Sequence, residues 1–405
     1  MNIKRVIIIG SGIAGASMAL FLNRLGIHSE LYEMYEKRTD IGGGLQIAPN
    51  GMRVLAALGL ADVIEQKGAV SSAMRFHNEK GKLLAKVTQD ARKKYGFPAV
   101  NIARSSFHET LIDELEKHGI VVHYNKKLKK IVEEEAGATA VFEDGTKAHG
   151  DFLIGADGIH SKTREYVAGN DPKPVYTGLQ NAGGFAPAAA LENFSAFDES
   201  ATCFTFGRKG FFGFALCNKK PGEEVMWWSN IPEQREVPRE QLRLIDAEEI
   251  KEELLQLHRH WHAPIERIIE QSSGIFKSSI HDIESLPRWS KNRVVLIGDA
   301  AHAMSPHAGQ GASAALEDSM YLAKLIKDRD LPIENIFDIF EKGRKERAEK
   351  IIKAARRNGA GKKELGPAAS WLRDKLLSIV LPVFAGKGQD WIHGYEIQWD
   401  EGIRP

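Results

Sequence analysis

Three glycines near the start of the chain have the spacing of a phosphate-binding turn. Gly10, Gly12 and Gly15 follow a predicted strand at 3–9, whose apolar run at 6–9 is typical of a buried parallel strand. In such a turn the first glycine permits a tight bend, the second lets the backbone approach a pyrophosphate, and the third lets helix and strand pack closely. Glu33 ends the next apolar run, where a carboxylate can accept hydrogen bonds from a ribose. The spacing predicts a dinucleotide site that disfavours a 2′-phosphate, and a glycine-rich turn without a ligand is the alternative.

A second glycine-rich group lies far along the chain. Gly298 and Asp299 follow the apolar run at 294–297, and the residues at 309–312 begin a predicted helix with the sequence Gly-Gln-Gly-Ala. A helix N-terminus presents unpaired N–H groups and the positive end of the helix dipole. A glycine fingerprint alone serves NAD and FAD alike, so the later segments must decide between these cofactors.

Three motifs, in this order along the chain, give the sequence a family resemblance. They are the turn at 10–15 with Glu33, the segment Asp157–Arg164, and the segment Gly298–Gly311. Further matches are Pro49-Asn50-Gly51, Arg104, Glu317-Asp318, Arg344 and Arg347. With these motifs the chain resembles the single-component (group A) FAD-dependent aromatic hydroxylases, the flavoprotein monooxygenases related to p-hydroxybenzoate hydroxylase.

The resemblance implies FAD as the bound cofactor, with NADH or NADPH as a transient co-substrate. Asp299 would hydrogen-bond the ribityl and pyrophosphate region, and Arg104 would contact the FAD phosphates or the ribityl chain. Asp157 would lie near the FAD pyrophosphate and the nicotinamide nucleotide; the alternative is that Asp157 and Arg164 form an ion pair or cap in a strand–helix turn. The implied FAD-binding residues are Gly10, Gly12, Ala14, Gly15, Glu33, Arg104, Leu128, Asp157, Asp299, Gly311 and Ala312.

No catalytic base can be named from the sequence or from the resemblance. The candidates around the flavin are Pro306, expected over the flavin face, together with Gly309 and Gln310. The helix that begins at this point would direct its N-terminus at the flavin pyrimidine and stabilise negative charge there. His302 is interpreted as a hydrogen-bonded structural residue, and no metal site is expected.

Phenylalanines in the middle of the chain indicate a substrate pocket. Phe204 and Phe206 share one strand face, and Phe212 and Phe214 share a face on the return strand. We expect these rings to form a flavin-facing wall for a flat, largely apolar substrate, and an ordinary sheet core is the alternative. No Tyr, His or Arg on this face could deprotonate a phenol.

These features predict an NAD(P)H-dependent FAD monooxygenase that inserts one oxygen atom from O2 into an aromatic or polycyclic, electron-rich substrate. The resemblance implies that the reaction passes through a C4a-hydroperoxyflavin. A tetracycline-inactivating monooxygenase of the same superfamily is one alternative. A flavin oxidase or dehydrogenase is a second, and a non-catalytic FAD-fold binder is a third.

The alternation of predicted strands and helices indicates an α/β fold. We expect a Rossmann-type FAD-binding domain with an inserted antiparallel β-sheet substrate domain and a C-terminal helix. The FAD-binding domain is expected to be discontinuous, over residues 1–71, 99–172 and 273–360. The substrate-binding sheet domain would take residues 72–98 and 173–272. The C-terminal helical segment, 361–405, is expected to cap the active site.

Composition and charge limit the classes of partner. The 405 residues include 55 basic and 54 acidic side chains, a net charge of +1, which gives no overall attraction for nucleic acid or an anionic membrane. Cys203 and Cys217 are the only cysteines, which excludes a disulfide framework and suits a reducing cytosol. No apolar run reaches the ~20 residues that a membrane-spanning helix needs. We therefore expect a cytoplasmic monomer or homodimer whose partners are an aromatic small molecule, O2 and NAD(P)H.

Overall fold

The computed structural model of the chain describes most of the sequence, and every structural statement below concerns the described residues. These are residues 3–36, 42–88, 90–134, 137–169, 173–192, 194, 198, 200–218, 224–328, 330–360, 362, 364–384 and 388–400.

Strands and helices alternate along much of the chain. The strands are β1 (Arg5–Ile9), β2 (His28–Tyr32), β3 (Gly44–Ile47), β4 (Ala69–Ser71), β5 (Ala73–Asn78), β6 (Leu83–Thr88), β7 (Ala99–Ala103), β8 (Val122–His123), β9 (Leu128–Glu134), β10 (Gly137–Phe142), β11 (Lys147–Gly150), β12 (Phe152–Gly155), β13 (Val175–Pro187), β14 (Ala201–Phe206), β15 (Phe211–Leu216), β16 (Glu224–Pro232), β17 (Ser273–Asp282), β18 (Ser290–Lys291) and β19 (Val294–Leu296). The α-helices are α1 (Ile13–Arg24), α2 (Pro49–Ala57), α3 (Ala61–Lys67), α4 (Ala91–Tyr95), α5 (Arg104–Lys117), α6 (Lys162–Ala168), α7 (Arg239–Leu244), α8 (Ala247–Leu257), α9 (Ile265–Glu270), α10 (Asp299–His302), α11 (Gly311–Asp328), α12 (Ile333–Ala360), α13 (Pro367–Phe384) and α14 (Asp390–His393).

A six-stranded sheet with the strand order β18-β19-β12-β1-β2-β8 forms the centre of the predicted FAD-binding domain. All neighbouring strands in it are parallel except β18 and β19, which pair antiparallel. The residues of β12 and β19 are fully buried, as expected for strands covered on both faces. Because β1, β12 and β19 are parallel neighbours, the loops that follow them meet at one edge of the sheet. That edge is where ligands bind in open α/β sheets.

The predicted substrate domain is a seven-stranded sheet with the order β17-β13-β16-β15-β14-β5-β6. The predicted hairpin at 72–89 is present as β5 and β6, and it joins strands that lie more than a hundred residues away. The sheet is antiparallel, as predicted, except for one pair, and one predicted domain boundary needs correction. β5 pairs parallel with β14, since two strands from separate chain segments need no hairpin connection. β17 pairs with β13, so residues 273–282 belong to this sheet and not to the FAD-binding domain.

Two three-stranded sheets complete the β structure. One has the order β11-β10-β9 and the other the order β3-β7-β4. In the second sheet β7 lies between β3 and β4, antiparallel to both, and leads directly into α5. This sheet therefore connects the carboxyl edge of the parallel sheet to the substrate sheet.

The predicted C-terminal segment divides into a helix and a tail. The helix α13 packs beside β6, where Asn78 Nδ2 donates to Asp374 Oδ2 at 3.0 Å and Arg373 Nη1 donates to the carbonyl of Gly207 at 2.7 Å. The tail, residues 388–400, returns to the other part of the molecule, where Arg53 Nη1 donates to the carbonyl of Tyr395 at 2.7 Å. None of the described helices combines the length and apolar character needed to span a lipid bilayer.

Candidate active site

The loop after β1 is packed backbone against backbone. Gly10 has a φ of +98°, and a Cβ there would overlap the carbonyl oxygen of Ala156 after β12. A Cβ at Gly15, in the first turn of α1, would overlap the carbonyl oxygen of Gly10. Any side chain at either position would push the loop away from the sheet.

Gly12 differs because its side-chain position is open. Apart from Gly12 and its two chain neighbours, no atom of the described residues lies within 4 Å of where its Cβ would be, and no side chain caps the N-terminus of α1. Beside this N-terminus Glu33 Oε2 accepts hydrogen bonds from Ser11 N at 3.0 Å and from Ser11 Oγ at 3.1 Å. Uncapped N–H groups behind an unobstructed glycine fit a pyrophosphate, and the neighbouring carboxylate fits a ribose. These residues therefore fit the dinucleotide half of FAD.

The second glycine group lies against the first. Gly298 follows the strand β19 with a φ of +58°, and a Cβ there would be 2.8 Å from the Cβ of Ala14. Asp299 and Gly309 are exposed next to this contact region, as is Pro306, and α11 begins at Gly311. Segments almost 300 residues apart in the sequence thus converge at one edge of the parallel sheet.

Gln310 is held in place by the helix α2. Asn50 Nδ2 donates to Gln310 Oε1 at 3.0 Å and to Glu317 Oε1 at 2.7 Å, and all three side chains are buried. The amide N–H of Ala48 donates to Ser313 Oγ at 3.2 Å in the same region. The side chain of Gln310, a catalytic candidate from the sequence, is therefore engaged in positioning the start of α11.

A buried ionic network lies behind the segment between β19 and α11. Arg344 is fully buried, with Nε 2.8 Å from Asp318 Oδ1 and Nη1 2.7 Å from Glu317 Oε2. Asp318 Oδ2 also accepts from the amide of Gly298 at 2.9 Å and lies 2.5 Å from His302 Nε2. Burial alone would raise the pKa of Asp318, but the charges of His302 and Arg344 lower this pKa to about 2. His302 is therefore a partner in a structural network, as the sequence predicted.

The Asp157 carboxylate is engaged in capping α6. It accepts hydrogen bonds from Ser161 Oγ at 2.5 Å, from the Lys162 amide at 2.8 Å and from the Thr163 amide at 2.9 Å. Arg164 Nη2 donates instead to the carbonyl of Ile159 at 2.6 Å. Of the two structural alternatives for this motif, the geometry favours the cap over an ion pair. The described contacts leave a direct role of Asp157 toward a nucleotide as a prediction.

Arg104 and Leu128 lie at element boundaries. Arg104 begins α5 with an exposed side chain, and its amide donates to the carbonyl of Gly43 at 3.2 Å. Leu128 begins β9 and is 6% exposed, so its backbone rather than its side chain is the part that could reach a ligand.

The hairpin β14–β15 separates the predicted aromatic wall into two faces. Phe206 pairs with Phe211, and Phe204 therefore pairs with Gly213. Phe212 and Phe214 lie on the opposite face, fully buried in a cluster with residues of α8 and α9. The prediction that all four phenylalanines form one flavin-facing wall is therefore wrong for Phe212 and Phe214, because the register of a hairpin decides which residues share a face.

The face that carries Phe204 is directed toward the glycine-rich segment before α2. On this face the Sδ of Met226 lies against Gly44, and Phe276 Cζ would be 3.0 Å from a Cβ at Gly43. Its other rings, most of them partly exposed, pack in a chain with centroid distances of 5.1 to 6.1 Å. They are Phe76, Phe204, Phe206, Phe211 and Trp228. We call this set the aromatic face.

Polar residues next to the aromatic face were not predicted from the sequence. Asn181 and Asn230 pair across β13 and β16, and Asn230 lies opposite Phe211 in β15. Lys362, which follows α12, reaches Asn230 from outside the sheet. Asn181 and Asn230 could have been found from strand alternation if the register were known, whereas Lys362 has no signal in its local sequence.

Comparison with known proteins agrees with this geometry. The chain matches the FAD binding domain family over residues 4–355. It is 28% identical over 400 residues to the 6-hydroxynicotinate 3-monooxygenase of Pseudomonas fluorescens, covering 97% of this chain and 95% of that protein. The structure of HpxO from Klebsiella pneumoniae complexed with FAD and uric acid is similar at a TM-score of 0.82 and 25% identity, covering 93% of each chain.

The tetracycline-inactivating alternative receives less support. The tetracycline destructase Tet(51) has a TM-score of 0.66 at 20% identity, which shows a shared fold and no more. The predicted family, the α/β fold class and the FAD cofactor are confirmed. The chain belongs to the FAD binding domain family and is an FAD-dependent aromatic monooxygenase of the group A type.

Proposed function

We propose that this monooxygenase uses NADH or NADPH to reduce its FAD and transfers one atom of O2 to a small hydroxylated aromatic compound. The observation that carries the proposal is the convergence of the loops after β1 and β19 at one sheet edge, where a Cβ at Gly298 would be 2.8 Å from the Cβ of Ala14. The segment before α2 contacts α11 through Ala48 and packs on the aromatic face through Gly44. A site with a dinucleotide cradle on one side and partly exposed rings on the other suits flavin chemistry on an aromatic ring.

FAD supplies the redox chemistry when bound, and the residues of the chain hold and orient it. The uncapped N-terminus of α1, with Gly12, would bind the pyrophosphate, and Glu33 would accept hydrogen bonds from the ribose. The N-terminus of α11, fixed by the Asn50–Gln310 hydrogen bond, would direct its positive dipole end at the flavin pyrimidine. Asp299 would contact the ribityl chain, since it is exposed beside these groups.

The aromatic face supports a planar substrate. Phe204 and Trp228 are partly exposed, with ring centroids 6.0 Å apart at an interplanar angle of 73°. Such a surface packs well against a flat ring and excludes water from it. The relatives named above act on 6-hydroxynicotinate or bind uric acid, which are small, flat and oxygenated rings. A compound of this class is therefore favoured over a bulky polycyclic one.

The test is turnover by the purified chain loaded with FAD. NADH and NADPH oxidation would be followed with 4-hydroxybenzoate, salicylate, 6-hydroxynicotinate, urate and tetracycline, and products would be identified by mass. We expect nicotinamide oxidation that depends on one of the small ring compounds, with a product that has gained one oxygen atom. Flavin reduction by the aromatic compound without NAD(P)H would indicate an oxidase or dehydrogenase. No oxidation with any compound would contradict the proposal.

The preference between NADH and NADPH would follow from the same assay. The cytoplasmic location and the monomeric or homodimeric state stay predictions, for which fractionation of cells and sedimentation of the purified chain are the measurements.

A further inference from the structure

Lys362 connects the end of α12 to the substrate sheet. Its amide donates to the carbonyl of Gly359 at 3.0 Å, which continues the last turn of the helix. Its Nζ donates to Asn230 Oδ1 at 2.8 Å and lies 3.7 Å from the ring centroid of Phe211. The ammonium group therefore lies at the end of the aromatic face.

The partners of this ammonium group are neutral. Asn230 Nδ2 donates to Asn181 Oδ1 at 3.0 Å, which directs the other end of the Asn230 amide, its oxygen, toward Lys362. Among the described residues no carboxylate forms an ion pair with Lys362 Nζ, whose contacts are Asn230 and the ring of Phe211. Lys362 is partly exposed, and a cation partly removed from water is costly unless an anion pairs with it. One amide oxygen and a ring supply only part of that compensation.

His307 places the same lysine beside the segment 298–310 between β19 and α11, which we call the flavin loop. This residue lies between Pro306 and Gly309, and its Nδ1 would be 2.7 Å from a Cβ at Gly359. Its Nε2 is buried without a hydrogen-bond partner. Burial, with a contribution from the charge of Lys362, lowers the pKa of His307 to about 2, so the ring is neutral at physiological pH. An ammonium donor and an unpaired ring nitrogen thus lie close to each other between the loop and the sheet.

We propose that Lys362 binds an anionic oxygen of the aromatic substrate, a carboxylate or a phenolate, and so selects aromatic acids over neutral rings. The inference rests on the proposed function, because it assigns the ligand to the substrate of that same site. The anion would complete the charge pairing that the protein leaves open, and Asn230 would hold the ammonium in position. The ring of the ligand would then pack along the aromatic face toward the flavin loop.

Binding should depend on pH in a defined direction. Burial lowers the pKa of Lys362 to about 7, so the ammonium form is lost as the pH rises above that value in the free protein. Of the described side chains, His307 interacts electrostatically with Lys362 and is neutral, and the carbonyl of Arg208 accepts the amide of Leu365, three residues along the chain, at 2.8 Å. A bound anion favours the protonated lysine, so affinity for an aromatic acid should fall about tenfold per pH unit above 7.

Calorimetric titration of the FAD-loaded protein tests the proposal. The ligands are 4-hydroxybenzoate and 6-hydroxynicotinate, their carboxamides, and benzoate. We expect Lys362→Met to bind the acids about 30-fold or more weakly than the wild type does, and to bind the carboxamides within about threefold of the wild-type affinity. The affinity of this variant for the acids should no longer depend on pH. Lys362→Arg should still bind the acids, and its affinity for them should not depend on pH up to pH 9. Benzoate tests the carboxylate alone, because it has no phenol group. If Lys362→Met also weakens binding of the carboxamides, the group that Lys362 binds is the phenolate.

Two further variants separate recognition from folding. Asn230→Asp supplies a carboxylate next to Lys362 Nζ that competes with the substrate anion. Binding of the acids should therefore weaken as in Lys362→Met, although the lysine is retained. Lys353→Met, on the exposed side of α12, is the matched control and should bind like the wild type.

Unchanged acid affinity and an unchanged pH profile in Lys362→Met would overturn the proposal, and so would the absence of binding by any aromatic acid. If the acids bind as expected but no compound is oxidised with NAD(P)H, the proposed function fails and the role of Lys362 stands. If compounds are oxidised and Lys362→Met binds both the acids and the carboxamides as tightly as the wild type does, only this inference fails.

Discussion

Two glycines in the same turn are required for different physical reasons. Gly15 allows the closest approach of α1 to the backbone, since a Cβ there would overlap the Gly10 carbonyl oxygen. Gly12 has a φ of −67° and a ψ of −171°, which any residue can adopt, and its Cβ position is free of protein atoms. Protein packing therefore explains glycine at position 15 but not at position 12. A ligand that approaches the backbone explains position 12.

This difference predicts that Gly12→Ala separates cofactor binding from folding. The variant should unfold within about 0.5 kcal/mol of the wild type in the absence of FAD, because its methyl group meets no protein atom. Its affinity for FAD should fall by at least tenfold, about 1.4 kcal/mol, because the methyl group keeps the pyrophosphate away from the α1 N-terminus. Urea denaturation of the FAD-free protein and fluorescence titration with FAD provide the two measurements.

Gly15→Ala is the contrasting variant. It should lower both stability and FAD affinity, since its Cβ displaces the backbone itself. Equal FAD affinity in Gly12→Ala and the wild type would contradict the placement of the pyrophosphate.

At the scale of elements, the hairpin β14–β15 shows where sequence reasoning ends. Strand alternation correctly placed Phe204 with Phe206 and Phe212 with Phe214. It could not say that the two pairs lie on opposite faces, because that depends on Phe206 pairing with Phe211 across the four residues Gly207–Gly210. A shift of register by one residue would exchange the faces.

The FAD-binding part of the site was more predictable from the sequence than the substrate-binding part. The strand, turn and helix around Gly10 form a local unit whose hydrophobic pattern and glycine spacing are both visible in the sequence. The approach of Gly298 to Ala14 followed from the rule that parallel strands end at one edge. The contact of Lys362 with Asn230 follows from no local pattern, since it depends on where the 28-residue helix α12 ends in space.

The two faces of the hairpin predict different mutational effects. Phe214→Ala should cost about 3–5 kcal/mol of unfolding free energy, because Phe214 is fully buried against the helices behind the sheet. Phe204→Ala should cost less, since Phe204 is only partly buried, but it should raise the KM for the aromatic substrate several-fold. Chemical denaturation and steady-state kinetics distinguish the two. A KM effect confined to Phe214→Ala would contradict this prediction and would place the substrate pocket on the Phe212–Phe214 face of the hairpin.

At the scale of the whole molecule, one buried network joins α11, α12, the segment after β19 and the C-terminal tail. Arg344 of α12 contacts Asp318 of α11, and Asp318 in turn holds the Gly298 amide. The guanidinium group also lies 5.4 Å from the ring of Tyr395 in the C-terminal tail. The geometry of the flavin loop therefore depends on an ion pair that lies outside the site.

Removing the arginine should leave the buried Asp318 with His302 as its remaining charged partner, whereas Glu317 keeps its ion pair with Arg347. Arg344→Met is expected to lower the unfolding free energy by about 3–5 kcal/mol, the usual cost of breaking a buried pair from one side. Because the pKa of Asp318 is held at about 2, its share of the wild-type stability is present above pH 4 and is lost as the pH falls toward 2. The variant should therefore lose stability already at neutral pH and should show a weaker dependence on pH between 4 and 2. Denaturation by urea at a series of pH values measures both effects, with the exposed Arg357→Met of the same helix as the control. Equal stability of Arg344→Met and Arg357→Met at pH 7 would show that the network does not hold the flavin loop in place.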